Sequence, residues 1–206
     1  MTRGRFITLE GGEGAGKSTQ ARYVKTWLEQ RGRDVIMTRE PGGSPLAEAI
    51  RNLVLAQWAE GMPAEAELLL MFAARAAHMH STIAPALARG CDVVCDRFVD
   101  SSYAYQGAGG GLAVEHLQRL EALVLKGLKP DLTLVFDLDP ALGLARTRHR
   151  GEQNRFEAST LDYLQRVREQ FLLRAAQDPQ RCTVIDTSAD PQTVQGRIAA
   201  VLEARL

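Results

Sequence analysis

The stretch Phe6-Ile7-Thr8-Leu9-Glu10-Gly11-Gly12-Glu13-Gly14-Ala15-Gly16-Lys17-Ser18 decides the architecture. A β-prone run over Arg5–Leu9 passes into Gly-rich sequence. Lys17–Gln30 then sets Ala21, Val24, Trp27 and Leu28 on one helical face. Positions 11–18 fit GxxxxGK[ST], a phosphate-binding loop. Its glycines let backbone N–H groups turn inward toward phosphate oxygens, and the following helix adds its positive end. Lys17 supplies a point charge and Ser18 an oxygen for Mg²⁺. With 18 glycines, four lysines and 19 serines and threonines in 206 residues, about 0.003 such matches are expected by chance.

Outward from this motif, strands and helices alternate. Strand-like runs cover Asp34–Thr38, Asp92–Cys95, Leu132–Leu138 and Cys182–Ile185. Helical spacing covers Pro45–Leu55, Pro63–Ala88 (with a bend expected near Pro85), Leu112–Lys126, Pro140–Arg150, Thr160–Gln177 and Pro191–Arg205. This alternation predicts an α/β fold of the P-loop NTPase class, a five-stranded parallel sheet with helices on both faces. With no internal repeat or linker, residues 1–206 are expected to form one domain. The Arg-rich stretch 146–157 stands out as a candidate lid.

Composition excludes several classes. The chain is 45% hydrophobic and 24% charged, which excludes disorder and fibrous repeats. Lys+Arg and Asp+Glu are 25 each, so the broad basic footprint of a nucleic-acid binder is absent. The longest apolar run, Leu68–Ala74, falls far short of the roughly 20 residues of a membrane span. The N-terminus lacks a signal-peptide apolar region. Cys91, Cys95 and Cys182 read as reduced buried thiols, so a cytoplasmic setting is expected. His78, His80, His116 and His149 show no metal-ligand spacing.

Three constellations complete a site. Asp96 ends an apolar strand, where ligands of open α/β sheets bind, and is placed to reach Mg²⁺ beside Ser18. Arg97 follows it. Arg39 ends another strand, and the turn Glu40-Pro41-Gly42-Gly43 fixes its aim. Two arginines at neighbouring strand ends suggest a second phosphate, that of an acceptor. Arg146, Arg148, Arg150 and Arg155 cluster in the lid, where closure would stabilise transferring charge and exclude water.

Taken together, Glu10 to Thr19, Arg39-Glu40-Pro41-Gly42-Gly43, Asp96-Arg97-Phe98, Tyr105-Gln106-Gly107 and the lid from Arg146 to Glu157 resemble the thymidylate kinase family, in its bacterial form. The resemblance spans essentially the whole chain. One form of the family carries a catalytic arginine in the phosphate loop, whereas the other has glycine there and arginines in the lid. Gly14 and the lid composition resemble the second. The resemblance implies Mg²⁺-dependent transfer of the γ-phosphoryl group of ATP to dTMP, by a homodimer. ATP would be held by Gly11, Gly12, Glu13, Gly14, Ala15, Gly16, Lys17, Ser18 and Thr19, with Arg146 and Arg148. Lys17, Arg150, Glu13 and Arg97 would carry catalysis, with Glu13 near the acceptor's 3′-hydroxyl. Arg39 and Arg97 would hold the acceptor phosphate, with Pro41 and Arg51 beside them. Arg75 would donate to thymine O4, Ser102 and Gln106 would complete the base contacts, and Tyr105 would pack on the sugar. The family usually places an aromatic residue four positions before the base-reading arginine. Here that position is Met71, and Phe72 follows, so either side chain is a candidate to cover the base.

Competing expectations are a different nucleoside or deoxynucleoside kinase of this fold, and a nucleotide-binding switch. The first does not need both Arg39 and Arg97 as phosphate grips if its acceptor is a nucleoside. The second does not need the lid arginines, and no N-K-x-D base reader is present.

Overall fold

A computed structural model describes residues 3–148 and 160–206; for Arg148 it describes the backbone alone. Five strands form one parallel sheet: β1 (Phe6–Gly11), β2 (Val35–Arg39), β3 (Asp92–Asp96), β4 (Leu132–Asp137) and β5 (Cys182–Asp186), in the order β2-β3-β1-β4-β5. The chain leaves β1 for β2, returns to β3 beside β1, then crosses to β4 on the other side. The C-terminal end of β1 is thus the switch point where such sheets open a crevice.

Nine helices surround the sheet among the described residues: α1 (Lys17–Glu29), α2 (Pro45–Leu55), α3 (Ala64–His78), α4 (Ala84–Ala88), α5 (Val99–Ser102), α6 (Val114–Leu125), α7 (Pro140–Arg148), α8 (Leu161–Gln177) and α9 (Pro191–Arg205). Two π-helical segments, Met79–Ile83 and Tyr103–Gly109, continue α3 and α5. None of these helices is long and apolar enough to cross a membrane.

Strand parity sorts the core. Ile7 and Leu9 join Val24, Leu28, Leu134, Phe136, Ile198 and Leu202 on the face covered by α1 and α9. Phe6 points the other way, into a cluster with Phe72, Ile83, Val93, Phe98 and Leu117. Thr8 and Glu10 share the parity of Phe6. Thr8 is satisfied by a 2.7 Å hydrogen bond to Thr133. Each fully buried Leu, Ile or Phe contributes about 1.5–3 kcal/mol, so both layers hold the sheet in place.

The structure departs from the expected elements in physically explicable ways. β1 runs to Gly11 rather than Leu9, because backbone pairing with β4 continues through Glu10 and Gly11 whatever their side chains. The irregularity expected at Pro85 falls one turn earlier, in Met79–Ile83. Pro85 itself sits in the first turn of α4, where a missing N–H is harmless. α5 and the π-helical segment after it had no periodic apolar signature in the sequence. The expected continuation of α7 to Arg150 lies outside the described residues.

Candidate active site

Gly11, Gly14 and Gly16 all have positive φ, at 137°, 70° and 86°, and curl the loop after β1 around the start of α1. Gly14 also lies backbone to backbone against α7: a Cβ there would stand 2.2 Å from the Gly143 carbonyl oxygen. No L side chain fits that position without movement of α7. An arginine at position 14 is therefore opposed on steric and conformational grounds.

Lys17 is buried, and its Nζ donates to the Gly12 carbonyl at 2.6 Å. Burial, with Arg97 nearby, lowers its pKa to about 8, although Glu13, Asp96 and Glu10 pull the other way. Ser18 Oγ donates to Asp96 Oδ2 at 2.5 Å, joining the first turn of α1 to the end of β3. This pair offers two hard oxygens. No group of three His, Cys, Asp or Glu side chains suited to a metal occurs among the described residues. Such a pair suits Mg²⁺, which uses one or two protein oxygens and completes its shell with phosphate and water.

The β2 and β3 ends bring Arg39 into register with Asp96. Arg39 is half exposed and pairs with Glu48 Oε2 at 3.0 Å. Arg51 Nη1 donates to the Pro41 carbonyl at 2.8 Å, which fixes it over the same turn. Arg51 has its pKa lowered, first by burial and then by Arg39. Glu48 offsets part of this repulsion, and a bound anion beside the two arginines would offset more.

Arg97 has φ 70°, an uncommon backbone for a non-glycine residue. Its guanidinium donates to the Gly11 carbonyl (2.9 Å), Ser101 Oγ (3.2 Å), Glu13 Oε1 (2.8 Å) and Tyr105 OH (3.0 Å). Burial opposes its charge, but Tyr105, Glu13, Asp96 and Glu10 more than compensate, and its pKa is raised. Tyr105 OH also donates to Glu13 Oε1 at 3.1 Å, so Glu13, Arg97 and Tyr105 form one hydrogen-bonded cluster.

These residues wall a cavity of about 230 Å³ at the C-terminal edge of the sheet. Glu13, Gly14, Gly16, Lys17, Ser18 and Thr19 form one side. Arg39, Pro41, Arg51, Asp96 and Arg97 line the cavity as well. Met71, Tyr105 and Gln106 complete the wall named from the sequence. Leu55, Ser101, Glu40 and Thr147 line it too, without having been singled out. Of these, only Glu40 had a motif to point to it.

Other expected residues lie elsewhere. Gly11, Gly12 and Ala15 are not on the wall, although Gly11 and Gly12 lend it their carbonyls through Arg97 and Lys17. Phe72 is 1% exposed and packs in the α3–α6 core, with the Arg75 guanidinium 4.7 Å from its ring. Arg75 and Ser102 are buried off the cavity wall. Arg75 gives Nε to Glu40 Oε2 (2.7 Å), Nη1 to Ser102 Oγ (3.1 Å) and Nη2 to the Phe98 carbonyl (3.0 Å), which leaves two further N–H groups. Gln106 Nε2 donates to Glu67 Oε1 at 2.7 Å, which fixes the orientation of the amide. Its Oε1 is buried with no partner among the described residues. Arg146 turns toward the loop after β5, donating to the Thr187 and Ser188 carbonyls at 3.0 and 3.1 Å. Arg150, Arg155, His149 and the Arg148 side chain lie outside the described residues.

Comparison with known proteins bears on the same assembly. The family model described as thymidylate kinase matches residues 9–198. A thymidylate kinase of Pseudomonas entomophila is 54% identical over 199 residues, covering 97% of this chain and 95% of that protein. One of Chromohalobacter salexigens is 54% identical over 208 residues, covering 100% of this chain and 98% of that protein. The crystal structure of thymidylate kinase from Ehrlichia chaffeensis superposes with a TM-score of 0.80 at 33% identity, covering 97% of this chain and 99% of that one. The phosphate loop, the arginines on the same cavity and the sheet that carries both fall within the matched span, and the chain belongs to the thymidylate kinase family.

Proposed function

We propose that this protein transfers the γ-phosphoryl group of ATP to the 5′-phosphate of dTMP, giving ADP and dTDP. The carrying observation is one cavity lined both by the phosphate loop with Lys17 and by Arg39, Arg51 and Arg97. A loop lysine and three further arginines on one cavity suit two phosphates brought in line, which is most of what phosphoryl transfer asks of a protein.

Lys17 exchanges the Gly12 carbonyl for donor phosphate oxygens. Arg39, Arg51 and Arg97 hold the acceptor phosphate. Glu13, tied to Arg97 and Tyr105, faces the acceptor sugar. Ser18 and Asp96 would hold Mg²⁺, which would supply charge neutralisation to the phosphates. Arg150, with Arg146 and Arg148, acts from a lid at 146–157, and residues 1–206 work as a single kinase domain. Arg146 serves through the loop after β5, near the donor base.

For the acceptor base, Gln106 Oε1 supplies an acceptor for thymine N3–H, and Arg75, behind the wall with two N–H groups beyond its three bonds, is assigned as the donor to O4. Cytosine offers an amino group at that position and leaves these donors unpaired. Such a mismatch in a site built for hydrogen bonding is rejected strongly, whereas the thymine methyl group is worth only about 1–3 kcal/mol against uracil. Met71, on the cavity wall, covers the base. A homodimer forms through α3 and α6, where Leu69, Val114 and Leu123 are exposed. The three buried free thiols suit a cytoplasmic setting.

The test is ADP release from Mg·ATP with dTMP, dUMP and dCMP as separate acceptors. Turnover on dTMP, weaker turnover on dUMP and none on dCMP support the assignment. Equal rates on dTMP and dCMP refute the base reading.

A further inference from the structure

Glu10 is a carboxylate with no access to the cavity. It sits in a strand otherwise built of apolar and small residues and is 0% exposed. Strand parity turns it toward α5, the same way as Phe6. There it meets three donors from the turn after β3: Oε1 accepts from Phe98 N–H at 2.8 Å and Ser101 N–H at 3.3 Å, and Oε2 accepts from Ser101 Oγ–H at 2.6 Å. The residue between the strand and those donors is Arg97, whose own N–H bonds the Leu9 carbonyl at 2.9 Å. Its left-handed backbone is thus pinned on both sides, by Leu9 before it and by Glu10 after it. Ser101 Oγ links the two charges directly, donating to Glu10 and accepting from Arg97 Nη1. Left-handed backbone at a non-glycine residue persists only when its surroundings over-determine it.

We propose that Glu10 is the positioning residue for Arg97: its carboxylate ties the end of β1 to the turn after β3 and so sets where the guanidinium meets the acceptor phosphate. The proposal rests on the assignment of Arg97 to that phosphate. Glu10 lies off the cavity wall, and its hydrogen bonds reach the site through the turn that carries Arg97.

The grip responds to proton concentration. Burial first, then the charge of Asp100, raise the Glu10 pKa to about 7, against Ser101, Arg97 and the Phe98 N–H, which lower it. The charged and titratable groups around it are Asp100 on α5, Arg97 in the turn, Lys17 on α1 and Cys95 on β3. Asp100 is itself held by Arg174 and Arg181, at 2.7 and 2.6 Å. Above about pH 7 Glu10 is a carboxylate and its bonds to the turn are charge-assisted. Below that it is a neutral acid and they weaken.

The experiment measures kcat and KM for dTMP and for Mg·ATP between pH 6 and 9 in wild type, Glu10→Gln, Ser101→Ala and Arg97→Lys. Gln keeps the shape and an acceptor for both N–H groups but removes the charge. The expected result is a dTMP KM about tenfold higher in Glu10→Gln at pH 8.5, with the ratio to wild type falling toward one at pH 6. Dividing by wild type at each pH removes the titration of the acceptor's own phosphate. The Mg·ATP KM is expected within about twofold of wild type. A ratio flat with pH, or an equal rise in both KM values, overturns the proposal. Ser101→Ala removes a bond that lowers the Glu10 pKa, so the midpoint of the dTMP KM profile is expected to move up. An unmoved midpoint overturns the proposal even if Glu10→Gln does not fold. An Arg97→Lys enzyme with unchanged dTMP KM refutes the phosphate assignment instead. A sensitive Arg97→Lys beside an insensitive Glu10→Gln refutes the positioning role alone.

Discussion

Three glycines of the phosphate loop sit in different surroundings, and replacing each with alanine separates backbone strain from contact. Gly14 combines φ 70° with a Cβ position 2.2 Å from the Gly143 carbonyl oxygen. Gly16 has φ 86° with nothing within 4 Å, and Gly12 has open space and no positive φ. The left-handed backbone costs alanine about 1–2 kcal/mol. Displacing a packed backbone carbonyl adds about 1–3 kcal/mol, by analogy with overpacking. Gly14→Ala therefore costs about 2–5 kcal/mol, Gly16→Ala about 1–2 kcal/mol, and Gly12→Ala within about 0.5 kcal/mol. At about 2–4 °C per kcal/mol for a chain of this size, Tm falls by roughly 4–20 °C, 2–8 °C and 2 °C or less. Scanning calorimetry of the three ligand-free variants measures this ranking. A Gly14→Ala protein as stable as Gly12→Ala would refute the close packing of loop and α7, and with it the steric reason for keeping arginine out of position 14.

Three further outcomes are expected. Arg39→Ala raises the dTMP KM about tenfold or more while leaving Tm nearly unchanged, because its exposed pair with Glu48 is worth only about 0–1 kcal/mol; kinetics and melting together check this. Lys17→Met abolishes turnover yet stabilises the ligand-free protein below about pH 8. The folded pKa lies below the unfolded one, so the buried charge costs stability fully at low pH. That cost fades as pH rises through about 8, and urea titrations at pH 7 and 9 should show the gap to wild type narrowing. Arg150→Ala lowers kcat by at least ~10²-fold with little change in the dTMP KM, measured by steady-state ADP release.

Much of the architecture was legible because it rests on periodicity. α2 and α9 begin and end where their apolar spacing and prolines place them, at Pro45–Leu55 and Pro191–Arg205. The phosphate loop was legible because its glycines serve backbone geometry, which local sequence records. The turn from Arg97 to Gly109 was not. Its helix is one turn long and its continuation is π-helical, so neither period 2 nor 3.6 marks it. What holds that turn is remote in sequence: Glu10 from β1, and Arg174 and Arg181 paired with Asp100. The choice between Met71 and Phe72 was equally closed to spacing, since both share the inner side of α3. Packing sends Phe72 beneath Arg75 and leaves Met71 on the cavity wall. Glu10 carried one overlooked signal, an acid in phase with Phe6 on a strand buried on both faces.

The central claim is that Arg39, Arg51 and Arg97 recognise a phosphate already on the acceptor. The most direct test compares kcat/KM for dTMP with that for thymidine at saturating Mg·ATP. Loss of a phosphate gripped by several arginines is expected to lower kcat/KM by at least ~10³-fold, since charged hydrogen bonds contribute about 1.5–3 kcal/mol each. Thymidine turned over as efficiently as dTMP would contradict the account, while leaving the phosphate loop's role in binding the donor untouched.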